Sequence, residues 1–225
     1  MNSIKYDFVW RRTATILSVV ILTLAIIATI SGISIAFYYQ PAASDAYQSI
    51  ARINESIPGG SLIYSLHNIA GNGIIVVALI QLVVLFLGRQ FRRSWLTAWI
   101  SGILLTLSTI GLGWTAMILG WNQLGYWRLK VELGIIESVP VIGEFIRNLL
   151  TGGSGINTTT ILHFYTIHSY VLSIAAIALS IIHLVALVVR EREAKDLLLK
   201  QLEKLVTPVN SEFKSKKVKN VVSKK

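Results

Sequence analysis

The sequence contains no cysteine, which excludes disulfide bonds, thiolate metal ligands, iron–sulfur clusters and cofactors attached through thioethers. Charged residues are also scarce, at 14% of 225 residues, whereas 53% are hydrophobic and the mean hydropathy is +0.63. This composition is typical of an integral membrane protein and not of a soluble domain of this size. No stretch is long and polar enough for a second soluble domain, so we expect one membrane domain with short extensions.

Acidic residues are few beside the basic ones, 11 against 21, which gives a formal net charge of +10. A basic chain can bind nucleic acid, but here the lysines and arginines stand at the edges of apolar runs and in residues 190–225. This distribution suits an anionic membrane surface. We therefore expect membrane lipid, and no nucleic acid, as a partner.

Four apolar runs reach the roughly 20 residues that a membrane-spanning helix needs, and no strand pattern or short repeat is present. The runs are residues 13–39, 62–87, 96–119 and 163–189. The first is too long for a signal sequence and lacks a small-residue cleavage site after it. We predict an all-α bundle of four transmembrane helices over residues 13–189, a cytoplasmic N-terminal segment 1–12 and a C-terminal tail 190–225.

Basic residues cluster before the first run, between the second and third runs, and after the fourth. The positive-inside rule then places both termini on the cytoplasmic or stromal side. The basic residues in question are Lys5, Arg11, Arg12, Arg89, Arg92, Arg93, Arg190, Arg192 and Lys195.

The longest outer loop and the tail also carry patterns. Residues 120–162 mix apolar and charged residues and predict short interfacial helices, broken near Pro140 and at Gly152 and Gly153. Residues 190–206 carry an apolar stripe, which includes Leu198 and Leu202, and predict a short amphipathic helix. The lysine-rich residues 214–225 predict a disordered basic tail.

Histidine inside a membrane is costly without a partner, so its position indicates function. His67 and Gln81 are 14 residues apart on the second run, which puts them on one face about 21 Å apart. His168 and His183 are 15 apart on the fourth run and differ by roughly 60°. If these helices face each other, His67 meets His168 near the outer surface and Gln81 meets His183 near the inner one. Two facing imidazoles can ligate a porphyrin iron.

Small residues repeat the same interval on the other two helices. Ser18 and Gly32 are 14 apart, as are Gly102 and Ala116. Such residues leave room for a flat macrocycle against the backbone. Packing contacts between helices, and histidines that are merely hydrogen-bonded, explain the same residues, so spacing alone leaves haem binding open.

Several motifs, in order over residues 31–189, resemble the cytochrome b family. They are "SGISIAFYYQPAASDAYQSI", "SLIYSLHNI", "GWNQLGYW", "ESVPVIG" and "HFYTIHSYVL". The resemblance is strongest to the cytochrome b6 branch, the four-helix haem subunit of cytochrome b6f complexes. It implies the N-terminal haem-binding bundle of that family. It also implies that His67 and His168 ligate the iron of an outer b-type haem, with Gly32 and Ala116 beside it.

The resemblance implies an altered inner site. His183 matches one ligand of the inner haem and Ser18 and Gly102 its small neighbours, but Gln81 stands where the family has the second histidine. Either a haem is retained with His183 as its one strong protein ligand, or no haem binds and Gln81 hydrogen-bonds His183. The persistence of His183 and Gly102 favours the retained haem.

Other positions depart from the family pattern. Tyr64 and His163 replace arginines that contact the outer haem's carboxylates, and His163 is either a substitute partner or an exposed interfacial residue. Ile16 stands about where cytochrome b6 has a cysteine that holds a further haem. These departures put the usual chemistry of the inner, quinone-reducing region in doubt.

The resemblance implies a membrane electron-transfer subunit, not a complete enzyme, in a quinol-linked respiratory or photosynthetic chain. It implies a quinone or quinol, an iron–sulfur protein, a subunit IV-like chain and a second copy as partners, in a prokaryotic plasma membrane or a thylakoid membrane. The alternative is a redox-inactive or single-haem scaffold or assembly subunit derived from cytochrome b, which the substitutions at Gln81, Tyr64 and His163 favour. A transporter has little support, because the helices carry hardly any charge and show no inverted repeat.

Overall fold

The computed structural model describes residues 2–88, 93–153 and 155–222, and every regular element in these ranges is helical. This confirms the predicted all-α fold. The α-helices are α1 (Asn2–Ala36), α2 (Ala46–Glu55), α3 (Gly60–Leu87), α4 (Leu96–Leu119), α5 (Gln123–Glu137), α6 (Gly143–Thr151), α7 (Thr158–Thr166) and α8 (Ser173–Val222).

Four helical segments of the described chain are long and apolar enough to cross a membrane, as predicted. They are Phe8–Ala36, Gly60–Leu87, Arg93–Leu119 and Thr158–Gln201. Helix α1 packs on α3 and α8, and α4 packs on the same two helices. The two helices with histidines, α3 and α8, therefore lie on opposite corners of a four-helix bundle. The side chains of α3 and α8 that point inward therefore face each other across the centre of the bundle.

A π-helical turn, Ile167–Leu172, joins α7 to α8 and contains His168. A π-turn accommodates one extra residue without breaking the helix. The 15-residue interval from His168 to His183 therefore behaves nearly like a 14-residue interval of a regular helix. Fourteen residues fall about 40° short of four full turns, whereas fifteen would exceed four turns by about 60°. This irregularity brings both intervals into the same register, although the sequence reading assumed a regular helix.

Turn chemistry sets the ends of the helices in the outer loop. The Asn122 side chain accepts the Gly125 N–H at 2.8 Å and begins α5. Helix α6 ends at Gly152, whose φ of 73° favours glycine. Asn157 begins α7 in a reciprocal capping arrangement with Thr160. The breaks between α5 and α6 and after α6 lie where Pro140 and Gly152 predicted them.

The C-terminal segment differs from the expectation of a separate amphipathic helix and a disordered tail. Helix α8 instead continues from the membrane through Val222. The helix continues through Pro208, although proline is unfavourable in a helix interior. The side chains of Leu202 and Leu205, part of the predicted apolar stripe, lie outside the described residues, as do residues 223–225 and the two predicted loop arginines Arg89 and Arg92.

Buried apolar side chains form three clusters along the bundle. One, with Tyr39 and Phe164, lies under the outer helices, and another, with Leu85 and Trp95, lies near the opposite end. The middle cluster contains Ile74 between His67 and Gln81 on α3, and residues of the other three spanning helices at similar positions. It separates two polar levels of the bundle, which we name the outer level and the inner level after the predicted orientation.

Candidate functional site

The outer level contains a facing pair of histidines. His67 on α3 and His168 in the π-turn have ring centroids 6.3 Å apart, with planes inclined by 57°. Two imidazoles on opposite sides of one metal ion have ligating nitrogens about 4 Å apart and centroids about 6 Å apart, given metal–nitrogen bonds of about 2 Å. The separation of His67 and His168 therefore fits a metal ion between them.

Hydrogen bonds fix the orientation of both outer imidazoles. The His67 Nδ1–H donates to the Ala28 carbonyl at 2.9 Å, and the Ser31 hydroxyl lies 3.3 Å from the same nitrogen. The His168 Nδ1–H donates to Thr115 Oγ1 at 2.8 Å, because the Thr115 hydroxyl already donates to the Gly111 carbonyl. With Nδ1 protonated, Nε2 of each ring keeps its lone pair. Metal-binding histidines in proteins are held in this way.

The residues of the outer level are less buried than those of the inner level. His67 and His168 are half-buried, and Ala116 on α4 is exposed. A Cβ added at Gly32 would lie 2.9 Å from Cε1 of His67. Glycine at this position therefore makes room for the imidazole itself, a closer and more specific reason than the predicted clearance of a macrocycle.

The inner level contains a direct contact between two side chains. Nε2 of Gln81 lies 3.1 Å from Nε2 of His183, and both residues are at most 1% exposed. The His183 Nδ1–H donates to Ser101 Oγ at 3.0 Å, since the Ser101 hydroxyl itself donates to the Thr97 carbonyl. The Gln81 amide therefore donates to Nε2 of His183 and occupies the lone pair that a metal ion would need.

The residues of the inner level, as they stand, do not fit a haem ligated by Gln81 and His183 together. A distance of 3.1 Å is shorter than the about 4 Å that two nitrogens on one iron require. The four positions predicted for this site, Ser18, Gln81, Gly102 and His183, are all buried. A Cβ added at Gly102 would lie 2.9 Å from Cε1 of His183, as one at Gly32 would from His67, so both glycines make room for an imidazole. The contact corresponds to the alternative in which Gln81 hydrogen-bonds His183, and an altered haem on His183 stays a prediction.

Sequence reasoning missed the groups that hold the histidines. The side chains of Ser31, Ser101 and Thr115 and the Ala28 carbonyl each contact an Nδ1 atom. One signal was available, because Ser101 and Thr115 are 14 residues apart on α4 and precede Gly102 and Ala116. Such hydroxyls are common in membrane helices, where they bond to their own backbone, and the interval alone does not distinguish the two roles.

The two positions that depart from the family's arginines lie outside the histidine pair. The His163 Nδ1–H donates to the Leu149 carbonyl at 2.8 Å and thereby ties α7 to α6. Tyr64 is partly buried against the outer apolar cluster. At the inner level, Gln81 Oε1 and Ser18 Oγ are buried without a hydrogen-bond partner in the part of the chain that the structure describes.

Four helices that are long and apolar enough to span a membrane, packed around a facing histidine pair, define a multi-pass membrane protein. The family model described as Cytochrome b/b6/petB matches residues 9–191. The chain belongs to the cytochrome b family, as the sequence motifs predicted. It is 33% identical to cytochrome b6 of Mastigocladus laminosus over 151 residues, 67% of this chain and 70% of the relative. Cytochrome b6 of Cyanidium caldarium is 32% identical over 165 residues, 73% of this chain and 75% of the relative.

The fold also resembles a solved structure. A chain of the structure described as hyperthermophilic respiratory Complex III superimposes with a TM-score of 0.68 at 23% sequence identity. The match covers 77% of this chain and 47% of that chain, so the present chain spans about half the length of its structural neighbour. This likeness supports the fold of the four-helix bundle.

Proposed function

We propose that the chain is a membrane electron-transfer subunit of the cytochrome b6 type, which holds a b-type haem between His67 and His168. The observation that carries the proposal is the 6.3 Å separation of the two imidazoles across the bundle. The family membership and the bonded Nδ1 atoms agree with it. A bound haem supplies a centre that gains and loses one electron, with a potential set by its axial ligands and surroundings.

The chain's own residues orient and insulate that site. The Ala28 carbonyl and the Thr115 hydroxyl keep Nδ1 protonated on His67 and His168, so that both rings present Nε2. Hydrogen bonds to the ligating imidazole also raise its basicity. The apolar cluster that contains Phe164 keeps water out of the bundle above the histidines. The protein thus sets ligand geometry and local polarity.

Partners complete the proposed function. The absence of cysteine means that an iron–sulfur centre has to come from another chain. The similarity to cytochromes b6 supports, as a further partner, a subunit IV-like chain that completes a quinol-oxidising pocket. The similar proteins are cytochromes b6, and the neighbour is described as Complex III. We therefore propose a quinol-linked complex, with this chain as a homodimer, in a prokaryotic plasma membrane or a thylakoid membrane.

A redox-inactive scaffold derived from cytochrome b is the second candidate. The direct contact between Gln81 and His183 favours it, because one family site has lost its ligand arrangement. The pair of His67 and His168 favours the electron carrier, because both rings are oriented by hydrogen bonds and their centroids are separated by 6.3 Å. The presence of a reducible haem in the purified chain separates the two candidates.

The test is the reduced-minus-oxidised absorption spectrum of the full-length chain, purified in detergent. The wild type is expected to show the bands of a low-spin b-type haem, and His67→Ala and His168→Ala to lose them. His163→Ala is the matched control, since this histidine binds a backbone carbonyl outside the pair and its loss should leave the bands in place. Wild-type protein without haem bands would favour the scaffold, and bands that persist in both alanine variants would refute the ligand assignment.

A further inference from the structure

The inner level carries an inference that rests on the proposed haem at the outer level and goes beyond it. We infer that Gln81, His183 and Ser101 form a hydrogen-bonded lock, here called the inner lock, that replaces the second haem of the family. The chain then holds one haem, and electrons enter and leave the protein on the outer side.

The hydrogen bonds within the inner lock occupy both ring nitrogens of His183. Thr97 O accepts the Ser101 hydroxyl, so Ser101 Oγ accepts the Nδ1–H of His183. Nε2 of His183 then bears a lone pair, and the Gln81 amide N–H donates to it at 3.1 Å. The opposite orientation of the amide would place a proton on Nε2 and would equally remove its lone pair. In both cases His183 has no lone pair left on Nε2 for iron.

The outer level provides an internal reference for the inner one. The same four helices supply four equivalent positions to each level, at intervals of 14 or 15 residues. At the outer level His67 and His168 are half-buried and Ala116 is exposed, whereas all four inner positions are buried. The outer rings stand apart with centroids 6.3 Å from each other, whereas Gln81 and His183 are in direct contact. The two facing side chains are therefore hydrogen-bonded to each other at the level where glutamine replaces histidine, and the positions around them are buried.

A position on α1 also differs between the two levels. Helices α1 and α3 are antiparallel neighbours, so Ser18 is related to Gln81 as Gly32 is related to His67, by 14 residues on each helix. At the outer level a Cβ on residue 32 would approach the His67 ring to 2.9 Å. Ser18 carries a Cβ and a hydroxyl at the equivalent inner position, and it is 1% exposed. A glutamine side chain tolerates this neighbour more readily than an imidazole that has to face a haem iron.

The inner lock has a consequence for the path of electrons. The levels are about 21 Å apart along α3, given 14 residues at a rise of 1.5 Å. The apolar middle cluster fills the bundle between them. Without a redox centre at the inner level, each electron that a reduced one-electron carrier delivers at the outer level has to leave to an oxidised carrier at the same level. The chain then passes electrons between carriers on the outer side of the membrane and does not transfer them across it.

The experiment measures haem per chain in the purified full-length protein, with carbon monoxide binding as a second readout. The wild type is expected to hold one haem and to bind no carbon monoxide, because both axial positions of that haem are filled. The double variant Gln81→His/Ser18→Gly, which restores the outer arrangement at the inner level, is expected to hold two low-spin haems. Gln81→Leu/Ser18→Gly is the matched control, which opens the same space without a ligand and should remain at one.

Each other outcome decides between the claims. Two haems in the wild type, or a second haem that binds carbon monoxide, would overturn the inner lock. A folded Gln81→His/Ser18→Gly variant that still holds one haem would also overturn it, because Gln81 would then not be what excludes the cofactor. Wild-type protein without haem would refute the proposed outer site instead, and in that event a gain of one haem in the double variant would still support the inner lock.

Discussion

Thr115 accepts a hydrogen bond from Nδ1 of His168 at 2.8 Å, while its own hydroxyl proton goes to the Gly111 carbonyl one turn earlier on α4. This relationship fixes the tautomer and the ring orientation of His168 from a neighbouring helix. His168 lies in the π-turn, where the backbone departs from regular α-helical geometry, and α4 supplies the hydrogen bond that orients its ring.

The first prediction follows from this contact. Thr115→Val keeps the shape of the side chain and removes the acceptor, so the proposed haem should be held about 10- to 100-fold less tightly, and its midpoint potential should change. Thr115→Ser restores an acceptor and should behave like the wild type. Haem retention during dilution and a redox titration measure the two effects. Equal retention and potential in the valine and serine variants would show that His168 does not rely on this bond.

The second prediction concerns the glycine beside His67. Gly32→Ala would place a methyl group 2.9 Å from Cε1 of His67, tighter than ordinary van der Waals contact. The ring has to shift away from its position, and the chain should lose most of its haem. Gly71→Ala on α3 is the matched control, since a Cβ there meets nothing within 4 Å in the described chain. The haem-to-protein ratio of the two variants checks the prediction, which fails if they retain haem equally.

The third prediction concerns alkaline stability. The Tyr39 hydroxyl donates to the Leu119 carbonyl at 2.9 Å, and burial raises the pKa of Tyr39, with nearby Tyr165 and Tyr64 adding to the rise. Above pH of about 10 the unfolded chain releases this proton and the folded chain keeps it, so stability should fall as the pH rises through and beyond that value.

Tyr39→Phe should therefore have two effects. At pH 8 the loss of the hydrogen bond should destabilise the protein by about 1 kcal/mol. When the pH of the assay is raised from about 9 to about 11, the phenylalanine variant should lose less stability than the wild type. Thermal unfolding in detergent measures both, with Tyr47→Phe on an exposed part of α2 as the control. Identical pH dependence in the wild type and Tyr39→Phe would contradict the assigned burial.

The fourth prediction concerns orientation. The distribution of lysine and arginine predicts that residues 214–225 lie on the cytoplasmic side and the loop after α1 on the other. The chain has no cysteine, so single cysteines can be introduced without background. A membrane-impermeant maleimide should label Ser44→Cys in intact cells and Ser215→Cys only after permeabilisation. The reverse pattern would invert the proposed topology and exchange the outer and inner levels.

The sequence predicts the helices well because length and hydropathy alone decide whether a segment spans a bilayer. Pro140 and Gly152 likewise mark the breaks in the outer loop, because they limit the backbone directly. The π-turn at His168 is different. It changes the helical phase by one residue, and the 15-residue interval could equally be read as a regular helix with the histidines about 60° apart.

The site is predictable only in part, for a related reason. Periodicity places His67, Gln81 and His183 on inward faces, but it does not say how far apart facing side chains stand. The 3.1 Å contact of Gln81 with His183 depends on side-chain length and on the separation of the helices. The partners of the Nδ1 atoms depend on the neighbouring helices α1 and α4. These are tertiary distances, and one sequence does not contain them in readable form.

The central claim is that the one haem of this chain lies between His67 and His168. Its most direct test is the haem-to-chain ratio of wild-type protein beside that of His183→Ala and His168→Ala, each purified at full length. We expect a ratio of about one in the wild type, about one in His183→Ala and about zero in His168→Ala, with an unchanged low-spin spectrum in His183→Ala. A ratio that falls in His183→Ala, or that persists in His168→Ala, would place the haem at the inner level and contradict the account.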